Sequence, residues 1–316
     1  MFTEFDEKVV GSVVLPKTGD ETNVLYIKDV VYCTYGDTQL HLQILIPTSG
    51  KRSVRPPMPP EIRARFNIPE FHPDWSYPCL VYVPGSAWAK QNCYGDVANF
   101  PEFVKMGYVV AIVEYRDYTI APFPAPIVDA RNAVRYLKKN APQYCIDPER
   151  MVLAGSSSGG HTAAYAGIFH DDDEPTNLFP GISGEVQGLI NFFGSTDFTF
   201  ADSNPMTGDR HNKPDSPEGM EMGGVDLNER TDLMEKLTVA CNIFEDTQVA
   251  PMLIFHGTAD TVVNCRCSVN LYRRLIEMKK DAMLYIMKGS GHGGPEFFAP
   301  RILQIMNDFF LKVTEK

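Results

Sequence analysis

The chain has 316 residues, of which 44% are hydrophobic, and carries a formal net charge of −11. Such a length can bury one large core, and α/β folds often use it for a single domain. The acidic balance argues against nucleic acid or an anionic membrane surface as a partner, since both need a basic patch, and no apolar run approaches the roughly 18 residues that cross a bilayer.

Apolar runs of strand length alternate with helical stretches, which is typical of a mostly parallel sheet with helices on both faces. The predicted strands lie near residues 25–33, 39–46, 79–84, 108–114, 150–154, 186–193, 251–256 and 282–288. The predicted helices lie near residues 96–106, 126–140, 159–169, 268–279 and 297–312. Alternation at Leu40, Leu42, Ile44 and Ile46 predicts a half-buried antiparallel strand near the start. We expect a single α/β domain over residues 1–316.

Two segments interrupt the alternation of strands and helices. Residues 48–78 contain Arg55-Pro-Pro-Met-Pro-Pro-Glu61, which is too rich in proline and charge for a strand. Residues 171–235 begin with Asp171-Asp-Asp-Glu-Pro175 and carry further prolines. Long connections between strands tend to be lids or binding loops, and a solvated surface loop is the alternative. We expect these insertions to form a cap or lid, and the sequence leaves open whether they also mediate oligomerisation.

One predicted strand runs into Gly155-Ser-Ser-Ser-Gly159, the Gly-x-Ser-x-Gly pattern that holds a nucleophilic serine on a sharp turn. Glycine at both ends leaves no Cβ where the strand passes closely into the following helix. An ordinary glycine- and serine-rich loop is the alternative, but the strand before the motif and the small-residue helix after it favour a nucleophile. Ser157 is therefore the candidate nucleophile.

An acid and a histidine should follow such a serine in that order, each after a strand. Asp260 follows the predicted strand 251–256, and His292 lies in the glycine-rich loop after the strand 282–288. Serine needs a base to accept its proton, and the base needs a carboxylate to fix its tautomer. Asp197, which also follows a strand, is the competing acid, and we prefer Asp260.

Two further histidines lie near these motifs. His161 is one turn into the helix after the serine, and His256 ends a strand four residues before Asp260. Either could touch the site, and we expect structural hydrogen bonds for both.

The serine chemistry also requires backbone donors for an oxyanion. Ser158 supplies the N–H after the nucleophile, and the run Pro84-Gly-Ser-Ala-Trp88 after an early strand supplies those of Ser86 and Ala87. An ordinary turn is the alternative for this loop. Four aromatic residues are candidates for the wall of an acyl or sugar pocket, with a place in the core as their alternative. These residues are Trp88, Tyr94, Phe123 and Phe198.

The chain has seven cysteines, an odd number, with no Cys-x-x-Cys pair. Reduced and mostly buried thiols are expected rather than disulfides or a metal site, so no metal and no cofactor are predicted. The first residues lack the basic and apolar regions of a secretory signal, and a cytoplasmic location is expected unless a leader has been removed.

Several ordered motifs together resemble the α/β-hydrolase fold, and within it the hormone-sensitive-lipase-like esterases, in particular the bacterial feruloyl and acetyl esterases of hemicellulose breakdown. The resemblance covers about residues 25 to 315. The motifs are Pro84-Gly-Ser-Ala-Trp88, Tyr108 to Arg116, Pro122 to Pro126 with Asp129, Arg131 and Ala133, Gly155 to His161, His256 to Asp260, and His292. In that family the oxyanion loop usually has the sequence His-Gly-Gly-Gly or His-Gly-Gly-Ala-Trp. Here Pro84 replaces the histidine and Ser86 the second glycine.

The resemblance implies a serine carboxylesterase that forms an acyl-enzyme on a small ester, with an acetyl or feruloyl group on a plant saccharide as the expected substrate. A small-molecule ester or an acylated oligosaccharide is then the expected partner, and a homo-oligomer is left open. The alternatives are an amide-cleaving relative such as an arylformamidase or a prolyl-type peptidase, a lipase-like acyl hydrolase, and a non-catalytic binding module. The presence of both the serine and the histidine weighs against the last of these.

Overall fold

The computed structural model describes residues 18–19, 21–49, 60–65, 75–169, 176–199 and 211–315. Within these ranges eight strands form one sheet. The strands are β1 (Thr22–Tyr35), β2 (Thr38–Ser49), β3 (Tyr77–Val83), β4 (Val109–Val113), β5 (Ile146–Ser156), β6 (Gly188–Phe192), β7 (Met252–Gly257) and β8 (Ala282–Met287). Their order across the sheet is β1-β2-β4-β3-β5-β6-β7-β8. β2 pairs antiparallel with both neighbours and the pairs from β4 to β8 are parallel, so the carboxyl ends of β3 to β8 meet at one edge.

Helices cover both faces of this sheet, as the alternating pattern predicts. They are α1 (Pro60–Arg65), α2 (Cys93–Asp96), α3 (Pro101–Lys105), α4 (Ala125–Lys139), α5 (Ser157–Ile168), α6 (Pro217–Glu221), α7 (Thr231–Leu237), α8 (Arg266–Glu277) and α9 (Pro300–Thr314). Apolar residues of α4, α5 and α8 pack on one face, and those of α3 and α9 pack on the other. The predicted strands are each present, and so are the helices predicted near 126–140, 159–169, 268–279 and 297–312, with ends that differ by a few residues. The helix predicted near 96–106 is wrong as a single element: α2 ends at Asp96, a 3₁₀ turn covers Val97–Asn99, and α3 begins at Pro101, which has no backbone N–H with which to continue a helix.

The central strand β3 has apolar side chains on both faces of the sheet. Cys79, Val81 and Val83 belong to the core under α4 and α5, whereas Leu80 and Tyr82 belong to the core under α3 and α9. Successive side chains of a strand point to opposite faces, so a strand covered on both sides is apolar throughout. This packing fixes β3 and the loop that follows it in the middle of the sheet.

Strand β2 is more buried than its alternating sequence predicts. It is antiparallel, as expected, but residues 42–47 are buried on both faces rather than one. Gln43 is only 2% exposed, because its amide oxygen accepts the Tyr26 hydroxyl at 2.6 Å and its amide nitrogen donates to Asp29 Oδ1 at 3.0 Å. A paired amide can be buried at little cost, and the alternating pattern carries no information about that pairing.

The expected insertion at residues 171–235 is not one continuous excursion. Strand β6 interrupts it, because the apolar residues 188–192 pair with both β5 and β7 inside the core. The connection from β6 to β7 contains α6 and α7, and residues 211–237 are called the α6–α7 segment below. Within the other expected insertion, 48–78, residues 60–65 form α1. Residues 50–59, 66–74, 171–175 and 200–210 of these insertions lie outside the described residues.

Candidate active site

Ser157 lies at a sharp turn between β5 and α5. Ser156 is extended, with φ −119° and ψ 145°, and Ser157 has φ +53° in the left-handed region that residues other than glycine rarely adopt. Ser157 is partly exposed, whereas the residues from 151 to 164 on either side of it are buried. The turn therefore presents the Ser157 hydroxyl at the carboxyl edge of the sheet.

The two outer glycines of the motif allow this turn to pack closely. A Cβ on Gly155 would lie 2.1 Å from the Gly159 carbonyl oxygen, and one on Gly159 would lie 2.2 Å from that of Val83. Both distances are far below any tolerated contact with backbone atoms. The expectation that glycine is needed where the strand meets the helix is confirmed at both positions.

His292 and Asp260 reach Ser157 from the loops that follow β8 and β7. His292 Nε2 lies 2.9 Å from Ser157 Oγ, and His292 Nδ1 lies 2.8 Å from Asp260 Oδ2. A histidine held in this way carries its proton on Nδ1 and offers Nε2 as an acceptor to the serine. The three side chains chosen from the sequence therefore form one continuous hydrogen-bonded chain.

The carboxylate of Asp260 is buried but extensively hydrogen-bonded. Burial acts to raise its pKa, but hydrogen bonds with His256 and His292 outweigh burial and hold that pKa well below its usual range. The other carboxylate oxygen, Oδ1, accepts the N–H groups of Val262 at 2.8 Å and Val263 at 2.9 Å. Asp260 is thus a fixed negative charge beside the imidazole of His292.

His256 is part of the same buried network. Its Nε2 lies 3.2 Å from Asp260 Oδ2 and 3.1 Å from the Val263 carbonyl oxygen, and its Nδ1 lies 2.7 Å from Ser268 Oγ. The ring is 0% exposed and touches the acid rather than the serine. It makes the structural hydrogen bonds expected from the sequence, and one of its partners is Asp260.

The competing acid, Asp197, forms its hydrogen bonds with residues other than His292. Its carboxylate accepts the N–H of Thr199 at 3.0 Å, the Thr199 hydroxyl at 2.5 Å and the Asn270 amide at 2.9 Å. His161 is likewise a structural group, with its Nε2 2.9 Å from the Leu237 carbonyl oxygen. Its burial lowers its pKa to about 4, so the ring is neutral.

The loop after β3 lies directly against the Ser157 turn. Gly85 lies so close that a Cβ on it would be 2.7 Å from Ser157 Cβ. Ala87 and Trp88 have φ of +54° and +55°. The Ser86 N–H donates to Ser158 Oγ at 3.0 Å, whereas the Ala87 N–H has no acceptor among the described residues. Of the expected donors, Ala87 and Ser158 therefore remain free to bind a ligand oxygen, and the Ser86 N–H is occupied.

Three of the four aromatic residues chosen for a pocket wall lie together. Trp88 and Phe198 are buried with ring centroids 6.1 Å apart, and the partly buried Phe123 packs on the same cluster. Residues of the α6–α7 segment complete this cluster. Tyr94, in contrast, is 60% exposed and donates its hydroxyl to Asp29 at 2.5 Å. The structure does not bring Tyr94 to the other three.

Sequence reasoning missed several groups that contact the site. The hydroxyls of Ser156 and Ser158 accept N–H groups of the loop after β3. The Tyr82 hydroxyl donates to Ser156, and the Tyr115 hydroxyl lies 3.4 Å from that of Ser158. The available signal was the motif itself, which carries serine at both of its variable positions. Tyr115 also lies in the motif Tyr108 to Arg116, which carries the family resemblance but predicts no function for Tyr115.

Across the ranges that the structure describes, no three His, Cys, Asp or Glu side chains are grouped so that they could hold a metal ion. All seven cysteines are free thiols, five of them buried. No helix in the described part of the chain has the length and apolar character needed to cross a membrane.

Comparison with known proteins is consistent with this geometry. A model of the BD-FAE family matches residues 69–275. Esterase LipC of Mycobacterium tuberculosis is 25% identical over 227 residues, which are 68% of this chain and 53% of LipC. The chain spans about half the length of the curated relatives it matches first.

Solved structures extend the likeness over almost the whole chain. A truncated carbohydrate esterase from gut microbiota is 25% identical with a TM-score of 0.74, covering 95% of this chain and 99% of that one. A bifunctional GH43-CE protein of Bacteroides eggerthii is also 25% identical, with a TM-score of 0.70, covering 94% of this chain and 38% of that one. The expected α/β-hydrolase fold is confirmed by these likenesses together with the topology of the sheet.

Proposed function

Because the chain belongs to the BD-FAE family, we propose that it is a serine carboxylesterase that hydrolyses small esters through an acyl-enzyme. One observation carries the proposal: Ser157 Oγ, His292 and Asp260 are linked by contacts of 2.9 and 2.8 Å at the carboxyl edge of the sheet. Ser157 is partly exposed, as a nucleophile must be, and the buried, charged Asp260 is suited to orient the imidazole of His292. The esterases among the matched proteins support the same reaction.

In the proposed first step, Ser157 Oγ attacks the ester carbonyl carbon while His292 Nε2 takes the hydroxyl proton. The carbonyl oxygen becomes an oxyanion, and the Ala87 and Ser158 N–H groups donate to it. Collapse of this intermediate breaks the bond to the alcohol oxygen, which receives the proton from His292. Asp260 stabilises the imidazolium and remains ionised throughout.

The second step repeats this chemistry with water. His292 takes a proton from a water molecule, whose oxygen attacks the acyl carbon of acyl-Ser157. The bond to Ser157 Oγ then breaks, the serine recovers the proton from His292, and the carboxylic acid leaves. Each step uses the same base and the same two oxyanion donors, so each should depend on the same residues.

An acetyl or feruloyl ester of a plant saccharide is the proposed substrate. Trp88 directly follows the proposed donor Ala87, and its buried indole is the proposed end of the acyl pocket. The α6–α7 segment packs against Trp88 and forms the proposed lid. The likeness to a carbohydrate esterase supports an acylated saccharide over a long-chain lipid.

The test is a substrate panel assayed with the full chain and with Ser157→Ala. The panel holds acetylated xylan, a feruloylated saccharide, short p-nitrophenyl esters, N-formylkynurenine and a dipeptide anilide. We expect ester hydrolysis by the parent chain and none above background by Ser157→Ala. Ser183→Ala is the matched control, because Ser183 Oγ accepts the N–H of Glu185 near the surface and lies outside the site. Turnover of the formamide or the anilide faster than every ester would contradict the proposal.

A further inference from the structure

The two serines that flank Ser157 hold the loop after β3 by their hydroxyl groups. Ser156 Oγ accepts the N–H of Gly85 at 3.1 Å. Ser158 Oγ accepts the N–H of Ser86, the next residue of the loop, at 3.0 Å. The candidate nucleophile Ser157 therefore lies between two serines, and the hydroxyl of each of these two accepts an N–H of the loop after β3.

A buried tyrosine supports the serine contact on each face of the sheet. On the face that carries α3 and α9, Tyr82 donates its hydroxyl to Ser156 Oγ at 2.8 Å. On the opposite face, the Tyr115 hydroxyl lies 3.4 Å from Ser158 Oγ and 2.9 Å from Ser86 Oγ. Both tyrosines are at most 2% exposed. The loop is thus held from both sides of the sheet.

The hydrogens of the Tyr115 contacts can be assigned by elimination. Ser86 donates its hydroxyl hydrogen to the Ala89 carbonyl oxygen at 2.6 Å, so it can only accept at its contact with Tyr115. Tyr115 then shares its single hydroxyl hydrogen between Ser86 Oγ and the Pro84 carbonyl oxygen, which lies 3.2 Å away, and Ser158 Oγ is the donor at its 3.4 Å contact with Tyr115. Tyr115 contacts both arms of the proposed oxyanion site, which are the loop after β3 and the start of α5.

The loop needs this support because its backbone is strained. Ala87 and Trp88 are consecutive residues other than glycine with φ near +55°. Each left-handed residue of this kind costs about 1 kcal/mol or more and persists only where its surroundings hold it. Without the contacts at Gly85 and Ser86, the loop could relax and move the Ala87 N–H away from the reacting carbonyl.

We propose that Ser156 and Ser158, supported by Tyr82 and Tyr115, are positioning residues that hold the Ala87 N–H where it can donate to the oxyanion. The inference rests on the proposed function, because it concerns the donors of that same reaction. The family's usual loop has a histidine and a second glycine at the positions of Pro84 and Ser86. In this chain the hydroxyls of Ser156 and Ser158 hold that loop. The contacts act on the transition state, where the oxyanion develops, and hardly on the neutral ester.

The test measures kcat and KM for p-nitrophenyl acetate in Ser156→Ala, Ser158→Ala and Tyr115→Phe. Loss of one oxyanion donor costs roughly 100- to 1,000-fold in kcat, so a displaced donor should cost roughly 10- to 100-fold, with KM changed by less than about threefold. Affinity for a trifluoromethyl ketone, which adds to the serine and forms an oxyanion, should fall by the same factor as kcat. If a serine variant does not fold, Tyr82→Phe and Tyr115→Phe test the same contacts with isosteric side chains.

Tyr144→Phe is the matched control, because Tyr144 is also buried and its hydroxyl bonds to Tyr136 at 3.1 Å, far from the loop in the fold. We expect it to leave kcat and ketone affinity unchanged. Losses in Ser158→Ala and Tyr115→Phe no larger than in this control, or a fall in kcat with unchanged ketone affinity, would overturn the positioning role alone. Full activity in Ser157→Ala would overturn the proposed function and this inference together.

Discussion

The turn around Ser157 and the α6–α7 segment satisfy their polar groups very differently. Around Ser157, the hydroxyls of Ser156 and Ser158 and the carboxylate of Asp260 all have partners. In and beside the α6–α7 segment, five buried polar atoms have no hydrogen-bond partner among the described residues. They are Trp88 Nε1, His161 Nδ1, Asn212 Oδ1, Glu218 Oε2 and Glu221 Oε2.

The difference separates a part of the site that side-chain hydrogen bonds hold from a part where apolar contacts predominate. The contact between the α6–α7 segment and Trp88 is made by apolar side chains, including the fully buried Leu227 and Leu237. The hydrogen-bonded turn fixes donors that must not move during the reaction. In the proposed function the segment beside it is the lid, which must move when a substrate enters.

The largest expected effect concerns the hydrogen-bonded region. Asp260→Asn should lower kcat by roughly 10⁴-fold, because an amide holds the imidazole of His292 in the wrong tautomer. Asp197→Asn is the matched control, since its carboxylate bonds only to Thr199 and Asn270 among the described residues. Steady-state rates on p-nitrophenyl acetate decide between them. A severe loss in Asp197→Asn with little loss in Asp260→Asn would assign the acid to Asp197.

The next effect concerns the close packing of the same region. Gly159→Ala should lower the free energy of unfolding by roughly 3 kcal/mol, because its Cβ would lie 2.2 Å from the Val83 carbonyl oxygen and 2.5 Å from that of Pro84. Gly291→Ala, next to His292, has nothing within 4 Å of its Cβ and should change stability by less than about 0.5 kcal/mol. Urea denaturation compares the two variants. Equal stabilities would show that the turn yields more readily than its geometry implies.

The α6–α7 segment should have a stability that falls as the pH rises above the ordinary pKa of a glutamate. Burial raises the pKa of Glu221 from 4.5 to about 9, so the folded chain holds a proton that the unfolded chain has lost between those pH values. The contribution of Glu221 to the free energy of unfolding is therefore largest below pH 4.5 and falls by about 1.4 kcal/mol for each pH unit up to about 9.

Glu221→Gln removes that titration with almost no change in shape. Relative to the parent chain, the variant should gain stability steadily between pH 5.5 and pH 8, as measured by urea denaturation at several pH values. Groups that do not interact with Glu221 titrate alike in both proteins and cancel in the difference. A difference that does not change with pH would mean that Glu221 is ionised and paired in the folded protein.

The smallest expected effect is on acyl-chain preference. If the indole of Trp88 ends the acyl pocket as proposed, Trp88→Ala should raise the rate on octanoyl relative to acetyl p-nitrophenyl ester by roughly tenfold or more, because each methylene accommodated contributes about 1–3 kcal/mol. Tyr94→Ala should leave the preference unchanged, because its ring is 60% exposed and bonded to Asp29. Equal rates on acetyl and decanoyl esters in the parent chain would instead favour a lipase-like enzyme.

The sequence predicted the sheet, its helices and the side chains that meet at Ser157, because strand periodicity and the glycine pattern are local signals. It did not predict which N–H of the loop after β3 is occupied, since the Ser86 contact depends on a hydroxyl 72 residues away in the chain. It placed Tyr94 with the other aromatic residues because a pattern of residue types does not report which side of a loop faces the site. The burial of Gln43 and Glu221 depends in the same way on neighbours from distant segments.

The central claim is that Ser157 is acylated during turnover, and mass spectrometry after rapid acid quench tests it most directly. The parent chain is mixed with p-nitrophenyl acetate for less than one turnover, digested, and searched for a peptide that carries one acetyl group. The account predicts that acetyl group on Ser157, and its absence from Ser157→Ala treated in parallel. Hydrolysis of the ester without an acetylated Ser157, or with the acetyl group on another residue, would contradict it.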